Sequence, residues 1–116
     1  MHRVTVVKVN GLRTPEQRAG VVYCGRGFAG WPASRWANPF RPRPGGPVGT
    51  CLGEFREYAM SQSPAWWADL WAATDSGRLP LGCYCYAGPA EAGVGVCHAA
   101  ILGAELNRRF ADGGMS

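Results

Sequence analysis

A small single α/β domain is the fold class the chain predicts: a Rossmann-like layer fold, with a short sheet covered by helices and elements in the order β-β-α-α-β-α. Three observations predict it. The 116 residues are 47% hydrophobic and only 17% charged, which suits one globular domain with its own core. Two early runs, Val4 to Val9 and Val21 to Cys24, are rich in β-branched and aromatic residues and end in turn signals. Three later stretches carry apolar residues at helical spacing. The ordered core is expected over about residues 3–110, with 111–116 a frayed tail after Gly113-Gly114.

The first strand, Val4-Thr5-Val6-Val7-Lys8-Val9, closes at Asn10-Gly11. The second, Val21-Val22-Tyr23-Cys24, ends at Gly25-Arg26-Gly27. From Phe28 to Val48 the chain has five Pro and no sustained period of 2 or 3.6, so it reads as a long loop. Trp31, Trp36 and Phe40 make that loop too apolar for a disordered tail, and an ordered, ligand-facing loop is expected. Thr50 caps a helix from Cys51 to Ser61, with Leu52, Phe55, Tyr58 and Ala59 on one face. Ser63-Pro64 opens a second helix to about Ala73, which Asp75-Ser76-Gly77 ends. A third strand runs from Leu81 to Tyr86, and a final helix opens at Cys97 or His98 and reaches about Phe110.

Charge and cysteine usage narrow the function classes. Eight basic residues in 1–45 face Glu16 alone, so the N-terminal part is +7 and the remainder −3, within a net charge of +4. Eleven of the twelve basic residues are Arg, whose planar fork suits phosphate or carboxylate. An anionic ligand, with nucleic acid as an alternative partner, is the expectation. Five cysteines cannot all pair within one chain, which argues against a disulfide framework and for reduced thiols. Cys24 and Cys51 stand alone and read as small buried hydrophobes. No apolar run approaches membrane-spanning length and the first residues lack a secretory stretch, so a soluble cytoplasmic protein without membrane contact is expected. The oligomeric state is left open.

Tyr23-Cys24-Gly25-Arg26-Gly27, then Trp36-Ala37-Asn38-Pro39-Phe40, then Leu81-Gly82-Cys83-Tyr84-Cys85 with Cys97-His98, resemble in order and spacing a family of small phage and bacterial proteins, domain of unknown function 4326. Its pattern is Y-I-G-R, W-G-N-P-F, G-T before a helix, L-x-C-W-C and C-H-G-D-V-L. Gly49-Thr50 match the middle piece. Ala37 stands for the family's Gly and Tyr84 for its Trp, and Ala99-Ala100 stand where Gly-Asp is common. The resemblance implies one fold for all these motifs and no particular activity. Pro44 to Thr50, P-G-G-P-V-G-T, also resembles the P-G-G-x-G-T phosphate-holding motif of phosphoribohydrolases, with Val48 as an extra residue.

Two chemistries are compatible with these residues. In the first, a nucleotide or related phosphorylated ligand is clamped by Arg26 beside Gly25, stacked by Trp36 or Tyr23 and read by Asn38. The opening of the last helix adds dipole stabilisation for an anion. Hydrolysis or transfer at a glycosidic or phosphate bond would then use Glu54 as base or oxocarbenium stabiliser and His98 as acid. In the second, Cys83, Cys85, Cys97 and His98 hold Zn or Fe in a module without enzymatic activity whose basic part contacts nucleic acid. Strand geometry would put Cys83 and Cys85 on one face roughly 6.6 Å apart, with Tyr84 and Tyr86 on the other.

Overall fold

Val4, Val6 and Val9 are each 1% exposed, whereas Thr5 and Lys8 face solvent. That alternation makes Thr5–Lys8 the first strand, β1. The computed structural model describes residues 2–12, 14–25, 34–37, 52–84 and 86–112. Among these, Pro15–Ala19 (α1), Val22–Tyr23 (β2), Leu52–Met60 (α2), Pro64–Ala73 (α3), Leu81–Cys83 (β3), Gly88–Pro89 (β4) and His98–Leu106 (α4) follow in chain order. A 3-10 turn, Ala90–Gly93, precedes α4, and a π turn, Asn107–Ala111, prolongs it. The result is a small α/β fold around a four-stranded mixed sheet.

The strand order is β2-β3-β1-β4. β3 lies between β2 and β1 and runs parallel to both, pairing Leu81 with Val22 and Val6 and Gly82 with Tyr23 and Val7. β4 joins the free edge of β1 in the antiparallel sense. Leu81, Gly82 and Cys83 are all buried, as expected of a central parallel strand covered on both faces. Gly82 is required there: a Cβ would lie 2.5 Å from a methyl of Val9 and from one of Val21.

One sheet face, through Val4, Val6, Leu81 and Cys83, packs against Ala99, Leu102 and Leu106 of α4, with Phe55 of α2 and Trp67 and Leu70 of α3 in the same cluster. Val9 and Tyr23 belong to a smaller cluster with Leu12, Val21 and Tyr84. Ser63 caps α3 by accepting the Trp66 N–H, and Pro64 occupies the first turn, where its missing N–H costs nothing. The end of α3 is fixed by Thr74, whose hydroxyl donates to the Trp71 carbonyl and accepts the Gly77 N–H. Asp75, Ser76 and Gly77 all then adopt positive φ. Gly77 also approaches the His2 carbonyl so closely that a Cβ would sit 2.4 Å from that oxygen.

The order differs from β-β-α-α-β-α in two places, and one strand is shorter than expected. α1 lies between the first two strands, held by a capping box in which the Thr14 hydroxyl accepts the Gln17 N–H and the Gln17 side chain accepts the Thr14 N–H. It buries no residue, so it has no apolar stripe in the sequence. The third strand ends at Cys83 instead of Tyr86: the Cys83 thiol donates to the Tyr86 carbonyl, and the chain turns back to supply β4. Tyr84 and Tyr86 consequently part, Tyr84 joining the small cluster and Tyr86 the main one.

Glu105 on α4 is only 5% exposed, yet its carboxylate accepts hydrogen bonds from Arg108 and from Arg109, the latter at 2.6 Å. The Arg108 hydrogen bonds hold its pKa below the usual range, against the upward push of burial. A depressed folded-state pKa gives stability that is present above the unfolded value near 4.3 and lost as pH falls through the folded one. Glu105→Gln is therefore expected to cost about 2 kcal/mol at pH 7. That difference should shrink below about pH 4, as read from urea denaturation across pH.

Candidate functional site at the carboxyl ends of the parallel strands

Three cysteines, a histidine and a glycine meet where β2 and β3 end. The register that sets Val22 beside Leu81 and Tyr23 beside Gly82 carries on to Cys24, whose N–H donates to the Gly82 carbonyl at 3.0 Å. Cys24 therefore follows β2 beside the end of β3, close enough for a Cys83 charge to help raise its pKa, although burial is the larger cause. Spacing alone had set Cys24 apart from the other thiols, and only strand pairing brings it to them. Its own thiol donates to the Val22 carbonyl at 3.5 Å.

Cys83 and Cys97 face one another with sulfurs 3.0 Å apart and each residue 1% exposed. Cys97 is the N-cap residue of α4, extended at φ −146°, and its side chain makes no capping hydrogen bond. The contact with Cys83 does most to push the Cys97 thiol up, burial adds to it, and the backbone N–H groups of Ala100 and Ala99 pull the other way. Ala99 and Ala100 are fully buried. His98 is the partly exposed residue at the helix opening.

His98 Nε2 lies 2.7 Å from the Cys24 carbonyl, and since a carbonyl only accepts, Nε2 is the protonated nitrogen of this contact. The edge of Phe55 meets the His98 ring at 5.5 Å and 81°. A fixed Nε2–H cannot itself ligate a metal. Of the four expected ligands, Cys83 and Cys97 are brought together, His98 is turned toward β2, and Cys85 lies outside the described residues. Among the described residues no group of three His, Cys, Asp or Glu side chains is placed to hold a metal ion.

The expected ligand-binding residues are reached from the same edge. Tyr23 is 8% exposed, meets Tyr84 edge to face at 6.3 Å, and lays its hydroxyl over Gly25, where a Cβ would come within 2.4 Å of it. Burial, then the neighbouring Tyr84, Cys24 and Cys83, raises its pKa, keeping the phenol protonated. The Gly25 carbonyl accepts the Ser34 N–H at 3.0 Å, and the Ser34 hydroxyl accepts the Trp36 N–H, so Trp36 is tied to the end of β2. Trp36 is half-buried against the main core with the Arg35 guanidinium 5.3 Å over its ring, and its Nε1 has no partner among the described residues. Arg26 and Asn38 lie outside the described residues, as do Gly49 and Thr50. Glu54 is exposed in the first turn of α2, where an acid complements the helix dipole.

A separate concavity of about 250 Å³ lies between α2 and α4, lined by Arg56, Met60, Val94, Ile101, Ala104, Glu105 and Arg108. None of the expected site residues lines it. Among the described residues, no helix is long and apolar enough to cross a membrane.

Neither a curated protein nor a solved structure matches the chain. The sequence model of the domain of unknown function DUF4326 matches residues 7–108, which runs from the second half of β1 through α4 and takes in both halves of the cysteine cluster. The chain belongs to the DUF4326 family.

Proposed function

We propose that the carboxyl edge of β2 and β3 binds a nucleotide or a related phosphorylated ligand, and that any reaction there is hydrolysis or transfer at a glycosidic or phosphate bond. The observation that carries this reading is the convergence of Tyr23, Gly25, Trp36 and His98 at the end of β2, through the 2.7 Å contact of His98 with Cys24 and the 3.0 Å bond of Ser34 to Gly25. Open α/β sheets bind ligands in this place, and a Rossmann-like reading of the layers accords with the three parallel strands. Arg26 follows Gly25 directly and would supply the phosphate clamp, with Trp36 stacking and Asn38 reading a polar edge. His98, oriented by a backbone carbonyl and an aromatic edge, would move the proton, and Glu54 would act as the second group.

A second reading, a module without enzymatic activity in which Zn or Fe is held by the cysteines and the basic N-terminal part contacts nucleic acid, is favoured by one observation, the 3.0 Å approach of Cys83 and Cys97. Elemental analysis of protein purified without chelator separates the two. About one metal per chain with no nucleotide binding supports the module. For the first reading, nucleoside mono- and diphosphates are titrated by calorimetry against wild type and Arg26→Ala. The variant is expected to bind about 10- to 100-fold more weakly at an unchanged melting temperature. Equal affinity in the two proteins would remove Arg26 from the site, and a large loss of stability would make it structural.

A further inference from the structure

The two thiols that face one another are held there by rigid backbone on both sides. The Cys83 carbonyl accepts the Val9 N–H at 2.9 Å, anchoring the end of β3 to β1, and the Cys97 N–H donates to the Gly93 carbonyl at 3.0 Å, anchoring the start of α4 to the turn before it. Fourteen positions apart in sequence, the two sulfurs approach to 3.0 Å, so a covalent bond near 2.05 Å needs only about 1 Å of further approach. Cys24, the third thiol of the cluster, is directed to the Val22 carbonyl of its own strand and does not compete. We propose that Cys83 and Cys97 form a reversible dithiol–disulfide site, closed by exchange with a small organic disulfide.

The chemistry balances in two steps. One cysteine, deprotonated, attacks a sulfur of the organic disulfide, forming a mixed disulfide and releasing one organic thiolate, which takes up the proton that was lost. The second cysteine then attacks the protein-bound sulfur of that mixed disulfide, forming the Cys83–Cys97 bond and releasing the second organic thiol with its own proton. Two protein thiols are oxidised and one organic disulfide is reduced to two thiols. Burial of both residues makes the first attack wait on local opening, so closure is expected over hours. The closed bond would pin the first turn of α4, which carries His98, to the end of β3. The inference rests on the sulfur geometry alone and stands or falls apart from the nucleotide reading.

The test uses folded, full-length protein, freed of metal by chelator and incubated with cystamine. Cleavage after Glu91 separates Cys83 from Cys97, and tandem fragmentation distinguishes Cys83 from Cys85 on the same peptide. The expected result is a chain about 2 Da lighter with a Cys83–Cys97 bond, reopened by dithiothreitol. A melting temperature higher by on the order of 10 °C is expected with it. A bond between any other pair, cystamine adducts without a Cys83–Cys97 bond, or five thiols still titratable in denaturant after a day would each overturn the proposal.

Discussion

Replacing Asn107 with leucine is expected to destabilise the fold by about 4 kcal/mol, because leucine keeps the volume and removes every hydrogen bond. Asn107 is fully buried, its Oδ1 accepts the Val4 N–H at 2.7 Å, and its Nδ2 donates to the Val4 carbonyl at 3.1 Å and to Glu91 at 2.8 Å. The amide thus serves Val4 as a neighbouring strand would, one residue before the ladder of β1 with β4 begins at Thr5. Leucine would leave a donor and an acceptor of the Val4 backbone buried without partners, at roughly 1–3 kcal/mol each. Urea denaturation gives the loss, and hydrogen exchange gives its location: the Val4 amide should lose its protection first. A cost below about 1 kcal/mol with Val4 still protected would mean that the chain finds another partner for that strand end.

Local signals made the helices legible. Ser63-Pro64 marks the start of α3 to the residue, because capping is a matter of three or four consecutive side chains. Leu102 and Leu106 mark the buried stripe of α4 for the same local reason. The Thr14-Pro15-Glu16-Gln17 capping box was equally present, but α1 buries nothing, so the apolar periodicity that would draw attention to it is missing. β4 has two residues, Gly88 and Pro89, neither of them a strand former, and it exists because β1 has an open edge. Pairings of that kind depend on residues 82 and 84 positions apart, and nothing near Gly88 announces them.

The site divides along the same line. Cys97-His98 at a helix start and Tyr23-Cys24-Gly25 at a strand end could be read from short stretches. That β2 and β3 are neighbours, which brings Cys24 to Cys83 and gives His98 the Cys24 carbonyl, is a property of the sheet order. Cys83 and Cys85 looked like a pair because strand periodicity was extended through Tyr86. The turn after Cys83 ends the strand there, and Cys97 faces Cys83 across the start of α4.

Phe55→Ala is expected to cost about 4 kcal/mol, whereas His98→Ala, across a 5.5 Å edge-to-face contact from it, is expected to cost about 1. Phe55 has no exposed surface and packs α2 onto the main cluster, so truncation leaves a cavity among side chains that cannot close on it. His98 is partly exposed and leaves no large apolar cavity when truncated, so the main loss is its hydrogen bond to the Cys24 carbonyl. The contrast separates support from chemistry at this edge of the sheet. Denaturation of both variants, followed by calorimetry of His98→Ala with the nucleotide that wild type binds best, reads it out. A stable His98→Ala protein with weakened binding places His98 in the ligand site with Phe55 as its backing. Should His98→Ala lose as much stability as Phe55→Ala, the imidazole is a core residue bonded to the end of β2, and the proton-moving role passes from His98 to another group.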